Sequence, residues 1–476
     1  MHIPARGRTK EEILQTLEAY GQGDLPWDSG RVMAYVYDPG KETSDVARSA
    51  YMMYLTQNAL DPTTYPSVMR LEREVVRMII NLLRGDESVV GNMTSGGTES
   101  ILLAVKTARD WSRAQRPDIK VPEMILPRTA HAAFHKAAAY FDVKPVIAGF
   151  DATTYKADVD AMRRAVNKNT ILLVGSAPGY AQGVIDPIEE IGALAQERGL
   201  LFHVDACVGG IHLSIMRKMG YPLPSFDFTV PGVTSISADM HKYGYAPKNA
   251  SVVMCRTKEL RKHQIYSCRH TTIYALINPT ILSTKSGGPM AASWATLNFL
   301  GEDGYAGIVK AAMDATERLL EGISAMPDLR ILGKPDMCMF SMASDTVNVF
   351  QVADEMRDRG WYVQPQFSTD LSPPNLHITV NHSSVALVDE FLDALRDSVE
   401  AVKKSGVTLD PTVIKSQLDQ MLGNLTPDGL QQILAMAGIS GTKLPDHTAL
   451  INTVLDNMPD AVVEDLLTGY INDLFQ

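Results

Sequence analysis

Three stretches of the chain carry residue types that could do chemistry, and each also has a plain structural alternative. The first is Thr94-Ser95-Gly96-Gly97-Thr98-Glu99-Ser100, leading into ILLAVKTARDW. Its glycines and hydroxyls stand just before Ile101, Leu102, Val105 and Ala108, which have amphipathic helical spacing. A helix start exposes unpaired N–H groups and a positive dipole end, so small residues there let a phosphate reach the backbone. An ordinary hydroxyl cap with a glycine turn would look the same, and no Gly-Lys-Ser/Thr follows to make a nucleotide loop. The second stretch is Phe202-His203-Val204-Asp205-Ala206-Cys207, a buried strand ending in an aspartate. Carboxyl ends of strands in α/β sheets face the ligand crevice, although an aspartate there can also simply cap a turn. The third is Ser235-Ile236-Ser237-Ala238-Asp239-Met240-His241-Lys242-Tyr243, another strand ending in polar groups, here with a lysine.

In combination the three point to one cofactor. A helix N-terminus for a phosphate, a carboxylate for a pyridine nitrogen and an amine for an aldehyde are what pyridoxal 5'-phosphate (PLP) needs. Asp205 would keep the ring nitrogen protonated and so make the ring an electron sink. Lys242, about 37 residues further on, would take the aldehyde, and His241 beside it can reach the phosphate. Two rivals are weaker. His131 and His135 stand at i and i+4, the spacing of a helical zinc pair, but Ala132 occupies the place where a metalloprotease needs glutamate. Cys207 could act as a nucleophile, yet no Cys–His–Asn order supports it, and a packed small side chain explains it.

The frame that must position these groups shows in the periodicity. Helices are expected at Glu11–Tyr20, Ser44–Thr56 and from Ser67, the last with Val68, Leu71, Val75, Ile79 and Leu82 on one side and Gly85 as its stop. ILLVGSAPG reads as a buried strand, DPIEEIGALAQERG as a helix capped by Asp186 with Pro187 at its first position, and LLFHVDA as the next strand. That βαβ unit predicts an α/β fold with a mostly parallel sheet flanked by helices. Four segments are expected: a helical one at 1–60, a large sheet domain at 61–300, a small α+β domain at 301–406 and an appended helical tail at 407–476. The small domain should hold VNVFQ, the helix VADEMRDRG, WYVQPQ, NLHITVNH and a final helix VDEFLDALRDSVEAVKK. Residues 411–476 carry 2 basic and 8 acidic residues, which sets the tail apart.

Composition narrows the classes. The 476 residues are 45 % hydrophobic and 21 % charged, as in ordinary globular chains, and the net charge of −11 disfavours non-specific nucleic-acid binding. Four cysteines, Cys207, Cys255, Cys268 and Cys338, form neither a disulfide framework nor a metal-ligand spacing, so a reducing, cytoplasmic setting is expected. No signal-peptide core opens the chain and no stretch approaches a membrane span, so an integral membrane protein is not expected.

TSGGTESILLAVKTARD, HAAFHKAAAYF, HVDACVGG and TSISADMHKYGYAPK resemble the motifs of the sphingosine-1-phosphate lyase family, within the group II PLP-dependent decarboxylases. The resemblance runs from about Tyr35 to His382 and takes in ADEMRDRGW and the His377 segment. It implies PLP fold type I, with Lys242 as the Schiff-base lysine, Asp205 on the pyridine nitrogen and His131 stacked on the ring. Gly97, Thr98 and His241 would hold the cofactor phosphate. The Lys285-Ser286-Gly287-Gly288 loop would reach the partner subunit's site, which implies an obligate homodimer. Tyr37, Asn58 and Lys248 match positions that touch substrate or its phosphate, and Tyr37 or a neighbouring His or Lys would carry the proton. His377 stands where aromatic amino-acid decarboxylases usually place an arginine, which favours Cα–Cβ cleavage of a sphingoid-type amino alcohol phosphate. Decarboxylation of an aromatic or acidic amino acid is the second reading, and a binding or assembly role through the acidic tail the third. Two departures bear on substrate: Asp61 replaces a histidine near the substrate phosphate and should repel it, and Asn249 replaces the usual glycine after Lys248.

Overall fold

The computed structural model describes residues 2–272, 274–406, 409, 413–416, 418 and 445–475. Its large sheet contains β1 (Val90–Thr94), β2 (Glu123–Pro127), β3 (Lys144–Ala148), β4 (Thr170–Ser176), β5 (Leu201–Asp205), β6 (Ser235–Asp239) and β7 (Ser251–Cys255). Their order is β1-β7-β6-β5-β4-β2-β3; only β7 runs against the rest, pairing antiparallel with both β1 and β6. The strands are apolar on both faces because helices cover both. Leu173, Phe202, Val204 and Ile236 pack with the helices Pro66–Leu82, Ile188–Arg198 and Gly209–Lys218. Leu172, Val174 and Leu201 pack with Gly97–Gln115 and Ala133–Phe141.

The βαβ expectation matches the observed β4, helix and β5, except at Asp186. Pro187, not Asp186, occupies the cap position of the helix Ile188–Arg198. Asp186 turns inward, and its carboxylate accepts from Ala157 N (2.9 Å) and Ser176 N (2.8 Å). Burial pushes its carboxyl up to about 6, the two N–H donors pulling the other way. The two backbone donors outcompete the helix start because they lie in the dry interior, where an unpaired N–H is costly.

β8 (Tyr266–Cys268) and β9 (Leu276–Asn278) form a short antiparallel pair. A long helical stretch, Gly287–Ser324, then crosses to the small domain and breaks at Gly301, where φ is 59°. The small sheet is antiparallel, with β10 (Arg330–Ile331), β11 (Met339–Ala343), β12 (Gln364–Gln366) and β13 (Asn375–Thr379) in the order β10-β11-β13-β12. The helix read as VADEMRDRG starts earlier, at Val349, because the Asn348 side chain accepts from Phe350 N and Gln351 N and caps it there. Of the expected tail helices, Ala449–Asp456 and Asp460–Leu474 are seen, and the stretch 419–444 lies outside the described residues. Among the described residues, no helix is long and apolar enough to cross a membrane.

One buried charge pair ties these parts together. Glu72, on the inward face of Pro66–Leu82, accepts from Met93 N (2.9 Å) in β1 and from Lys285 Nζ (2.6 Å). Lys285 also donates to Met93 O (3.1 Å), so its loop is pinned to the strand that leads into Gly96 and Gly97. Removing one member of a buried pair leaves the other uncompensated, at a cost of about 3–5 kcal/mol. Glu72→Ala is therefore expected to lower the denaturation midpoint strongly, and Glu72→Met with Lys285→Met to regain most of the loss. Circular dichroism against denaturant measures both; a single variant as stable as the parent would contradict the assignment.

Candidate active site

Parallel pairing brings the carboxyl ends of β1, β4, β5 and β6 to one edge, where a cleft of about 730 Å³ opens. Its lining includes Gly96, Gly97, Thr98, His131, Asp205, His241, Lys242, Tyr37 and Lys248, so nine residues picked out in the sequence meet in one place.

Each is held for a physical reason. Gly96 has φ 147°, a conformation that side chains rarely adopt, and a Cβ on it would stand 3.2 Å from His241 Cε1. On Gly97 a Cβ would lie 2.8 Å from both Asp239 Oδ2 and Cys207 Sγ, so only glycine lets this helix start close on β6. Glu99 fixes the turn, accepting from Ser95 N (2.6 Å) and, on its other oxygen, from Ile281 N (2.7 Å). The first-turn N–H groups of the helix Gly97–Gln115 face the cleft without helical partners. Asp205 receives Cys207 N (3.0 Å) and Ser237 Oγ (3.4 Å), both on Oδ1, which leaves Oδ2 to the cleft. His131 Nδ1 accepts from Ala133 N (3.1 Å), so a neutral ring presents its other nitrogen as N–H. His241 Nδ1 accepts from Ala250 N (3.2 Å), and burial lowers the ring's basicity.

Lys242 Nζ lies 2.9 Å from Asp239 Oδ2. Burial alone would push its ammonium down, but the Asp239 carboxylate more than offsets this and holds it above the ordinary lysine range. Burial likewise pushes Asp239 up, while the charges of Lys242 and His241 hold it below the usual carboxylate range. Lys248 sits 5.0 Å over the Tyr37 ring; burial and the neighbouring Lys242 charge lower its pKa. Burial pushes the Tyr37 phenol up to about 12, so at neutral pH it keeps its proton and can donate a hydrogen bond. Cys207 is buried with Sγ 3.3 Å from Ser237 Oγ, and burial drives its thiol far up, which removes it as a nucleophile.

Five expected site residues lie elsewhere in this chain. His377 is fully buried behind Tyr180, with ring centroids 4.3 Å apart. Its Nδ1 meets Ala181 O and its Nε2 meets Thr379 Oγ1, both at 2.8 Å, so neither nitrogen is free for substrate. Asn58, Asp61, Gly287 and Gly288 do not line the cleft. Ala59 N donates to Lys285 O (2.9 Å) and Gly287 N to Gln57 O (2.7 Å), so the two segments form one patch. Asp61 sits in an exposed turn and accepts from Thr63 N (2.7 Å) and Thr63 Oγ1 (2.6 Å), bonds that lower its pKa.

Sequence reasoning passed over Asp239, Tyr180 and Gln364 as site residues. Asp239 ends β6 and Tyr180 follows β4 closely, so the strand-end rule applied to Asp205 would have found both. Gln364 receives the Tyr180 hydroxyl (2.8 Å) from the small domain, a meeting that no local signal announces.

The residues present fit PLP: a glycine-lined helix start with His241 beside it, a buried carboxylate with one oxygen toward the cleft, and a lysine between them. Comparison with known proteins gives the same cofactor. The model for the pyridoxal-dependent decarboxylase conserved domain matches residues 27–342. A second model, for a C-terminal HTH domain of pyridoxal-dependent enzymes, matches residues 388–473. The chain is 42 % identical over 468 residues to a sphingosine-1-phosphate lyase of Arabidopsis thaliana, covering 96 % of this chain and 80 % of the relative. A solved sphingosine-1-phosphate lyase of Burkholderia pseudomallei superimposes with a TM-score of 0.81 at 36 % identity, covering 89 % of this chain and 96 % of that one. A probable L-aspartate decarboxylase of Pyrococcus furiosus is 33 % identical, covering 76 % of this chain and 94 % of the relative.

The Asp239–Lys242 pair gives a direct test. An opposite charge at this distance moves a pKa by about 1–3 units, so Asp239→Asn should make Lys242 titrate lower by that order. Labelling of Lys242 in PLP-free protein with an amine-directed reagent across alkaline pH, read by peptide mass spectrometry, measures the midpoint. An unmoved midpoint would show that Asp239 does not set the lysine's charge.

Proposed function

Because the chain belongs to the pyridoxal-dependent decarboxylase family and, within it, to the sphingosine-1-phosphate lyases, we propose that it cleaves the Cα–Cβ bond of a phosphorylated long-chain amino alcohol. The products are a fatty aldehyde and phosphoethanolamine. PLP, when bound, supplies the electron sink that makes a Cα bond breakable.

Lys242 holds the cofactor aldehyde, Asp205 keeps the pyridine nitrogen protonated, and His131 covers the ring. Gly97, Thr98 and His241 bind the phosphate. Cleavage needs one proton taken from the substrate hydroxyl and one given to Cα after the bond breaks. Lys248 can do both: its ammonium is lowered by burial, and Tyr37 beside it stays a neutral donor that orients the hydroxyl.

The observation that carries the choice of bond is His377. A decarboxylase must grip a carboxylate with a fixed cation before losing it. Burial pushes His377 down to about 4, and both its nitrogens are engaged within the protein. A neutral, occupied imidazole offers a carboxylate nothing.

The reading includes a homodimer with shared sites. The patch of Asn58, Asp61, Gly287 and Gly288 serves a site only if that site belongs to another subunit. The helix Lys10–Gly21 has no buried residue and leaves Leu14, Leu17 and Tyr20 48 %, 58 % and 75 % exposed, an apolar face suited to a second copy. A cytoplasmic setting completes it, for which the sparse, unpatterned cysteines argue.

PLP-loaded protein incubated with sphinganine phosphate should release a fatty aldehyde, and with a panel of amino acids no carbon dioxide. Lys242→Ala should abolish release and lose the borohydride-fixable link to the cofactor. Asp205→Asn should keep PLP but slow turnover roughly a hundredfold or more, the scale of a lost electrostatic stabiliser. Carbon dioxide from an amino acid without aldehyde from the amino alcohol would replace the lyase reading by the decarboxylase one.

A further inference from the structure

Two further spaces open off the cleft. One, of about 1120 Å³, lies toward the tail helices Ala449–Asp456 and Asp460–Leu474; the other, of about 620 Å³, lies toward the helix Lys41–Met53. Gln364 and Gln366 border the cleft and the first space, while Tyr37, His241 and Lys248 border the cleft and the second. Among the residues that line these spaces, Tyr35 alone borders all three. Anything passing to Lys242 from either space therefore runs by this one side chain.

The backbone of Tyr35 is as unusual as its place. Its φ is 63°, and for a bulky side chain this left-handed conformation is an outlier of the kind that gathers at functional sites. Core packing does not impose it, because the side chain is 56 % exposed. The flanking chain does. Met33 N donates to Tyr362 O (2.9 Å) and Thr379 N to Met33 O (2.7 Å), which ties the preceding residues to the small domain. Two residues further on, the Tyr37 ring meets Tyr243, the neighbour of Lys242, edge-on at 5.1 Å between centroids. Between these anchors a glycine would make the turn at no steric cost. What tyrosine adds is a ring, backed by the Tyr362 ring of the small domain at 6.1 Å between centroids. Tyr180 and Gln364, bonded to each other at 2.8 Å, border the same cleft and narrow it further.

We propose that Tyr35 is a specificity-determining residue that sets how bulky a group the cleft admits, and that it acts through its ring rather than its hydroxyl. Selection is its whole part: Lys242, Asp205 and Lys248 keep their roles whichever side chain stands at position 35. The kind of substrate it screens rests on the amino-alcohol reading above. On that reading the substituent on the carbinol carbon has to be slender, because a branch there meets the ring. One extra carbon in a shaped pocket changes kcat/KM by roughly tenfold or more.

Access is read first, on the full-length holoenzyme. O-methylhydroxylamine and O-benzylhydroxylamine both displace Lys242 from the cofactor, and the change in cofactor absorbance follows each rate. Wild type should react far more slowly with the benzyl compound, and Tyr35→Gly should shrink the methyl-to-benzyl ratio by about tenfold. Tyr35→Phe, which keeps the ring, should leave the ratio near the parental value. Glycine holds this φ without strain, and Tyr35→Asn, also at ease there, is the second open variant. Selection among substrates is then read by aldehyde release from a straight-chain phosphorylated 2-amino-1,3-diol and an analogue branched beside the carbinol carbon. In both open variants kcat/KM for the branched compound should rise about tenfold relative to the straight one. An unchanged methyl-to-benzyl ratio in folded Tyr35→Gly or Tyr35→Asn would overturn the proposal and leave the lyase reading intact. Tyr35→Phe behaving like Tyr35→Gly would overturn it too, by placing the selection in the hydroxyl. A shifted ratio with no aldehyde from either diol would keep Tyr35 as the selecting residue and remove the lyase reading instead.

Discussion

Parallel strand pairing is the constraint on which the site depends. β4, β5 and β6 run the same way, and β1 joins them in direction because the single reversed strand, β7, lies between β1 and β6. Ser176, Asp205 and Asp239 therefore end on one edge, together with the turn that follows Thr94. Had β1 paired directly with β6 in antiparallel fashion, the Gly96–Gly97 turn would stand at the opposite edge from Lys242. The buried Glu72–Lys285 pair then fixes β1 against the loop that precedes the long helix. Strand direction chooses the edge, and the ion pair holds its outermost member in place.

Burial divides the polar groups around the cleft into two sets. Tyr37, His203, His212 and His377 are kept neutral because the loss of water outweighs any neighbouring charge, even that of Asp205 on His203; His203 is pushed down to about 4 and His212 to about 3. Lys242 and Asp239 stay charged because each compensates the other. A low-dielectric interior sharpens both effects. The result is a site organised around the charged Lys242–Asp239 pair, with neutral donors such as Tyr37 beside it.

Much of this was legible in the chain because its cues are local. A glycine turn before an amphipathic run, an aspartate ending an apolar strand and a His-Lys pair ending the next each declare themselves within a few residues. Asp186 misled because a cap residue before Pro187 reads the same whether its side chain turns to the helix or into the core. His377 misled in another way: its position in sequence told which strand it sits on, but not that Tyr180 would stand between it and the cleft. Gln364 left no signal, since its role exists only once the small domain meets the large one. The Asn58 and Gly287 segments are readable as neighbours of each other only after the Gln57–Gly287 and Ala59–Lys285 bonds are seen.

The first tail helix, Ala449–Asp456, has no side-chain cap of its own; Thr448 makes no such bond, and Asp354 of the small domain supplies it. A helix of eight residues does not persist alone in water, where nucleation costs more than one or two turns return. Its order is therefore contingent in time. The small domain must already be built, with Asp354 in place on the helix Val349–Asp358, before this part of the tail can settle. Loosening of the small domain around Asp354 therefore frees this part of the tail as well, so amide exchange in 445–475 reads the small domain's integrity.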